Sequence, residues 1–406
     1  MIGVCILGST GTIGDNTLDV IARHPDRYRV IALGARANWR KLAEQCRRFA
    51  PEHAVLMDGD AARELERELR ASSCRTQVAS GASALDAIAT AAESPYVMAG
   101  IVGAAGLRPV LAAARAGKRL MLANKEALVM SGSLLLDYAR ESHATLLPID
   151  SEHNAIFQCL PQQALGGAPS GALSGVRRVL LTASGGPFLD WSLQRLATAT
   201  PAQAVAHPNW VMGRKISVDS ATLMNKGLEC IEAGLLFGLD PAQIDVIVHR
   251  QSIVHSMVEY LDGSVLAQLG SPDMRTPIAH AFAWPERIAS GVQFLDLVQV
   301  GRLDFATPDL QRFPCLALAR QVAVAGGLAP AMLNAANEVA VEAFLDGKVN
   351  FLDIAAVSET VMQQSVCGPI SDLDSVLAAD AEARRLAHRA VAARRLASSA
   401  VGAPRL

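Results

Sequence analysis

Through residues 1–149 the chain repeats one pattern: a short apolar run ends in glycine or polar residues and gives way to an Ala/Leu-rich stretch with apolar positions three and four apart. Short apolar runs mark strands and three-to-four spacing marks helices, so the repeat predicts β-α units on a parallel sheet. The expected strands are 4–7, 30–33, 54–57, 96–101, 120–123 and 145–149. Their carboxyl ends carry Gly8-Ser9-Thr10-Gly11, Gly34 to Asn38, Gly103 to Gly106, Asn124-Lys125-Glu126 and Asp150-Ser151-Glu152. Ligands of open parallel sheets bind beyond those ends, so the groups are expected to share one crevice.

A Gly/Pro/Gln/Ser-rich passage at 161–175 separates a second region, with strands expected at 179–182, 245–248, 255–260 and 265–269 and a hairpin turn at Asp262-Gly263. From Pro314 onward Ala, Leu and Val recur at helical spacing, ending in a basic amphipathic segment that reads as a solvated helix face. The expected fold is α/β: an N-terminal Rossmann-like parallel sheet domain (1–149), a central α+β domain (150–285), a linker (286–313) and a C-terminal α-helical domain (314–406).

Composition narrows the setting. With 406 residues, 51% hydrophobic and 19% charged, the chain is expected to hold two or three globular domains. A formal net charge of −2 gives no field that would draw in nucleic acid or an anionic membrane. No apolar run approaches the ~18–20 residues of a membrane span. Seven scattered cysteines without a C-x-x-C pair suggest free thiols in a reducing compartment. Met1-Ile2-Gly3 runs straight into a strand, leaving no room for a leader, so the expected location is cytoplasmic.

Gly8-Ser9-Thr10-Gly11-Thr12-Ile13-Gly14 follows the first strand and opens a helix, the context in which glycines let a pyrophosphate approach the backbone. Its spacing is G-x-x-G-x-x-G rather than the usual G-x-G-x-x-G. The second strand ends without the carboxylate that would bind a ribose 2′-hydroxyl, and Arg36 and Asn38 suit a 2′-phosphate, so NADP is favoured over NAD. Asp150 and Glu152 would repel one another unless a cation lay between them. Oxygen ligands without a Cys/His cluster favour Mg²⁺ or Mn²⁺, with Glu229 as third ligand and Glu232 as its rival, a salt-bridge partner. His207 to Gly213 joins a titratable group, Trp210, Met212 and a glycine in what reads as a closing flap, 205–214. Ser220, Asn225 and Lys226 offer donors for a phosphate, and Ser184 ahead of Gly185-Gly186 adds another. Lys125 faces the same crevice, while Ser252 and His255 are weaker candidates.

Together these segments resemble the 1-deoxy-D-xylulose 5-phosphate reductoisomerases, NADPH-dependent enzymes of the non-mevalonate isoprenoid route. The likeness rests on GSTGTIG (8–14), LANKEALV (122–129), PIDSEHNAIFQCL (148–160), TASGGPF (182–188), HPNWVMGRKISVDSATLMNKGLE (207–229), GSPDMRTPIAHAFAWP (270–285) and LNAANEVAVEAFL (333–345). It implies a divalent metal on Asp150, Glu152 and Glu229, and substrate contacts from Lys125, Ser151, Ser184, His207, Ser220, Asn225 and Lys226. It implies cofactor contacts from Thr10, Gly11, Thr12, Ile13, Asn38, Asn124, Glu126 and Gly213. Residues 1–149 would bind NADPH, residues 150–285 would hold the metal and flap, and the sugar-phosphate enzyme would be a homodimer. Lys125, Glu152 and His207 are then the candidate catalytic groups. Family members often carry Gly-Lys-Asn where this chain has Arg36-Ala37-Asn38, and His-Pro-Gln-Ser where it has His249-Arg250-Gln251-Ser252. A simple NADP-dependent dehydrogenase and a nucleotide sensor without turnover are the alternatives, and a metal requirement separates them from the family reading.

Overall fold

The computed structural model describes residues 1–161, 173–208, 210 and 212–401, with side chains to 395. Asn209 and Val211 of the expected flap, most of the 161–175 passage and residues 402–406 lie outside the described residues.

Seven strands form the first sheet: β1 (Ile2–Leu7), β2 (Tyr28–Ala35), β3 (His53–Leu56), β4 (Gln77–Ser80), β5 (Tyr96–Ala99), β6 (Arg119–Leu122) and β7 (Thr145–Pro148). They run parallel in the order β4-β3-β2-β1-β5-β6-β7. Both faces are covered by helices, which is why Val4, Cys5, Ile6 and Leu7 are all buried and β1 reads as a continuous apolar run. The sequence pattern misses β4. It is a mostly exposed edge strand, so no hydrophobic run announces it.

The strand order reverses at β1, placing the ligand crevice beyond the carboxyl ends of β1 and β5. Gly8 turns the chain there at φ +84°, and a Cβ on it would fall 2.5 Å from the Gly100 carbonyl oxygen. A Cβ on Gly14 would fall 2.0 Å from the Ser9 carbonyl oxygen, so helix Thr12–Arg23 can sit on its loop only with glycine at that position.

The second sheet holds β8 (Val176–Ala183), β9 (Ile244–Val248), β10 (Val254–Tyr260) and β11 (Val265–Leu269) in the order β11-β10-β8-β9. β8 and β9 are parallel and the other pairings antiparallel. The β10–β11 hairpin turns at Asp262-Gly263, where Gly263 has φ +87° and Asp262 Oδ1 accepts from the Ser264 N–H at 2.9 Å. Helix Ser151–Cys159 leaves the end of β7 and packs on β10 and β11, carrying Asp150 to Glu152 from one sheet to the other.

Helices Arg214–Thr222 and Met224–Phe237 are joined at Leu223, whose left-handed φ of 60° breaks them apart. After β11 and helix Arg275–Ala283, a stretch that is irregular apart from the short helix Leu297–Val300 leads to helices Pro314–Ala325, Ala329–Leu345, Asp353–Gln364 and Leu373–Val401. Val129, Met224, Leu228, Cys315 and Leu333 form a small core of their own, through which the helical region closes the back of the crevice. The whole is the α/β fold that the periodicity predicts.

Candidate active site

Many of the expected ligand groups line one cleft. Thr12 and Ile13 enter from the glycine loop, Lys125, Asp150 and Glu152 from the ends of β6 and β7, and Ser184 from the end of β8. Ser151, Ser220, Asn225, Lys226, Ser252 and His255 complete the polar wall, and Trp210 and Met212 of the flap lie on the apolar side. Residues far apart in the chain thus meet because two sheets present their strand ends to the same space.

Behind the wall sits Glu229, fully buried. Lys125 Nζ reaches Glu229 Oε1 at 2.9 Å and the Asn225 side-chain oxygen at 3.0 Å, and also pairs with Asp150. Lys226 Nζ lies 2.7 Å from Glu152 Oε1 and pairs with the second oxygen of Glu229. Three carboxylates therefore share two ammoniums, an arrangement one positive charge short. Burial raises the Glu152 pKa to about 7, and the nearby Glu229 carboxylate adds to the rise. Burial opposes ionisation of Asp150 as well, yet Lys125 holds its pKa below the usual carboxylate range. Ligand oxygens of Asp150, Glu152 and Glu229 lie within 4.8 Å of one another. All are hard donors, and the charge deficit is what a divalent cation would remove, so the residues fit Mg²⁺ or Mn²⁺.

Glu232 does not form the expected salt bridge. It faces His153 Nδ1 at 3.4 Å, deep in the interior. His153 Nε2 lies 3.0 Å from the Glu229 carbonyl oxygen, which can only accept, so Nε2 carries the hydrogen and Nδ1 is a lone pair. Burial lowers the imidazole pKa to about 4 and raises that of Glu232 well above normal. Burial thus disfavours the charged form of both groups, and the contact lies directly behind Asp150 and Glu229. Asp150, His153 and Glu232 also lie within 4.8 Å of one another, and His153 Nδ1 and both Glu232 oxygens have no hydrogen-bond partner among the described residues.

The same logic assigns the His207 tautomer. Its Nδ1 accepts the Trp210 backbone N–H at 3.0 Å, so Nε2 carries the hydrogen that reaches Ser184 Oγ at 2.8 Å. Burial lowers its pKa, keeping it neutral. His207 itself does not line the cleft, although it orients Ser184, which does. The Trp210 ring lies 6.3 Å from that of His255, so the flap folds across the cleft toward β10. Burial also lowers the His255 pKa to about 4.

The remaining cofactor candidates lie at the rim or behind it. Arg36 and Asn38 are exposed beyond β2, where Asn38 caps helix Trp39–Phe49 by accepting from the Lys41 N–H at 3.3 Å. Thr10 and Gly11 sit on the glycine loop, and Gly213 opens helix Arg214–Thr222. Asn124 is buried, caps helix Lys125–Ser131 and donates to the Gly103 carbonyl at 3.2 Å. Glu126 is buried against Lys215 at 2.7 Å. The unusual Arg250 pairs with Asp190, and Ser252 reaches the cleft with a left-handed φ of 53°. Sequence reasoning missed Lys41, whose ammonium bonds the Thr10 carbonyl at 2.9 Å, and Lys215, whose one legible signal was Asp219 four residues on.

Comparison with known proteins identifies the family. The family model described as 1-deoxy-D-xylulose 5-phosphate reductoisomerase matches residues 4–132, that of its C-terminal domain residues 146–237, and a further model, DXP reductoisomerase C-terminal domain, residues 269–386. The 1-deoxy-D-xylulose 5-phosphate reductoisomerase of Nitrosomonas eutropha is 58% identical over 98% of this chain and 96% of its own. A solved DOX-P reductoisomerase in complex with NADPH, fosmidomycin and magnesium superposes with a TM-score of 0.90 at 46% identity, over 96% of this chain and 98% of its own. The Zymomonas mobilis enzyme in complex with NADPH gives 0.87 at 48% identity over the same shares. On this footing the chain belongs to the 1-deoxy-D-xylulose 5-phosphate reductoisomerase family.

Proposed function

We propose that the protein isomerises 1-deoxy-D-xylulose 5-phosphate to 2-C-methyl-D-erythrose 4-phosphate and reduces that aldehyde with NADPH to 2-C-methyl-D-erythritol 4-phosphate. The observation that carries this reading is the single cleft lined by both the nucleotide loop and the carboxylate–ammonium cluster. Rearrangement and reduction then share one space, and the intermediate has no need to leave it.

A divalent cation on Asp150, Glu152 and Glu229 would supply Lewis acidity toward the ketose carbonyl and its neighbouring hydroxyl. Thr10, Gly11, Thr12 and Ile13 would cradle the pyrophosphate of NADPH, the hydride source, beside Asn38, Asn124, Glu126 and Gly213. Lys226, Asn225, Ser220 and Ser184 would hold the phosphate, with Ser184 oriented by neutral His207. Ser151 and Ser252 line the cleft and would bond the sugar hydroxyls. Lys125 and Glu152, both on the cleft wall, would be the candidates to move protons. Trp210 and Met212 would exclude water as the flap closes.

The test is loss of NADPH absorbance when metal-stripped protein meets 1-deoxy-D-xylulose 5-phosphate, with and without Mg²⁺ or Mn²⁺. Metal-dependent oxidation with formation of the erythritol phosphate is expected. NADPH binding without turnover under either metal would overturn the proposal.

Arg36, exposed at the end of β2, would be the group to meet a 2′-phosphate, since position 37 is Ala. A charge-assisted hydrogen bond is worth about 1.5–3 kcal/mol, so Arg36→Ala should narrow the preference for NADPH over NADH about tenfold or more. The ratio of kcat/KM for the two cofactors measures it, and an unaltered ratio rules Arg36 out.

The active unit is proposed to be a homodimer. β11 is the edge of its sheet, with Val265 and Leu266 about half exposed, and Phe294 and Val298 of the following stretch are 97% and 90% exposed. An apolar edge strand left uncovered invites association, and a second copy is the occupant the family resemblance supplies. Sedimentation equilibrium should give twice the chain mass, and a monomer at micromolar concentration would contradict the assignment. No described helix is long and apolar enough to cross a membrane. Seven unpaired cysteines and bacterial relatives support a cytoplasmic location, which fractionation of the source cells would check.

A further inference from the structure

The helix that follows the flap is pinned from behind. Arg214–Thr222 presents Ile216 and Ser220 to the cleft, while Lys215 and Asp219, each one position earlier and so about 100° round the helix, point inward. Lys215 Nζ lies 2.7 Å from Glu126 Oε1 and 2.8 Å from Asp219 Oδ2. Asp219 Oδ1 in turn accepts from Asn337 Nδ2 at 2.8 Å. Glu126, Asp219 and Asn337 are all buried.

Three separate parts of the chain meet at this ammonium. Glu126 stands in the first turn of helix Lys125–Ser131, at the end of β6, one residue from Lys125 and two from Asn124, which is tied to the Gly103 carbonyl. Asp219 belongs to the flap helix, and Asn337 to helix Ala329–Leu345. The next residue of that last helix, Glu338, packs on Gly103, where a Cβ would fall 2.7 Å from its Oε1. One helix thus touches both the nucleotide edge of the first sheet and the helix that carries Ser220. A buried ion network of this kind is a weak source of stability, because desolvation offsets its attraction, but it enforces one relative placement of the parts it joins.

We infer that Lys215, with Asp219 and Asn337, is a positioning group that couples the nucleotide crevice to the flap helix, so that NADPH and the sugar phosphate each tighten the other's binding. The inference rests on the function proposed above. A nucleotide that orders the 103–106 and 124–126 segments holds Glu126 in place, and through Lys215 it holds the flap helix and Ser220. By linkage the effect is reciprocal.

The experiment is a fluorescence titration of NADPH in the presence of Mg²⁺, with and without saturating 2-C-methyl-D-erythritol 4-phosphate, a pair that cannot react in the forward direction. The ratio of the two dissociation constants is the coupling factor, expected at about fivefold or more in the wild type. Lys215→Met should bring it to about one and Lys215→Arg should restore most of it. If Lys215→Met does not fold, Asp219→Asn, which keeps the shape, serves in its place. A residue that merely supports the fold would lower the melting temperature and leave the ratio unchanged, and that result would overturn the inference, as would a wild type without coupling. If the wild type fails to turn over 1-deoxy-D-xylulose 5-phosphate, the proposed function itself falls; intact turnover with unchanged coupling in the variants removes only this inference.

Discussion

Glu229→Gln is expected to weaken Mg²⁺ or Mn²⁺ binding by about a hundredfold or more, since even the outer partners of metal ligands are worth about 10–100-fold. NADPH affinity should be unchanged, because Glu229 does not line the cleft and its side-chain partners are Lys125, Asn225 and Lys226. Gln fills the same volume, so the packing around a fully buried position survives. The charge balance does not. With Glu229 neutral, Lys125 and Lys226 face only Asp150 and Glu152, and the excess negative charge that a cation would relieve is gone.

A second readout follows from the same change. Burial is the first cause of the raised Glu152 pKa and the Glu229 carboxylate the next, so removing that carboxylate moves Glu152 back toward an ordinary value. In the wild type, metal binding must displace a proton from Glu152 below about pH 7, and affinity should fall as the pH drops through that value. In Glu229→Gln the fall should begin at lower pH. Calorimetric titration with Mn²⁺ between pH 5.5 and 8.5 measures both effects. Wild-type metal affinity in the variant, accompanied by lost NADPH binding, would remove Glu229 from the metal set.

Much of this site was legible before any coordinates, and the reason differs by residue. Strand ends that bind ligands are forced to carry polar or glycine residues where an apolar run stops, so Gly8 to Gly14, Asn124 to Glu126 and Asp150 to Glu152 stand out by contrast. Other features were hidden. β4 has no apolar run because it is an exposed edge. Lys215 looks like any helix lysine until the fold buries Glu126 beside it. Glu232 reads as an ion-pair partner because a sequence cannot show that the group facing it, His153, is a desolvated imidazole. Charges announce themselves in sequence, whereas their partners and protonation states depend on burial that only the packed chain creates.

Lys226→Met should reduce kcat/KM for the ketose phosphate by at least about thirtyfold, the lower end of the 2–5 kcal/mol expected when one member of a buried charge pair is truncated. Most of the loss should appear in KM, as Lys226 is proposed to hold the phosphate away from the reacting carbons. Its effect on the metal should run opposite to that of Glu229→Gln. The Lys226 ammonium lowers the Glu152 pKa and pairs with both Glu152 and Glu229, so it stabilises exactly the ionised carboxylates a cation needs while repelling the cation itself. Without it, Glu152 keeps its proton to higher pH, and metal binding should be weaker than wild type at pH 6. Once Glu152 is ionised at still higher pH, the missing repulsion should make binding tighter. The two affinity curves against pH should therefore cross. Parallel curves would show that Lys226 does not share the carboxylate cluster with the metal, and an unchanged KM would detach it from the phosphate.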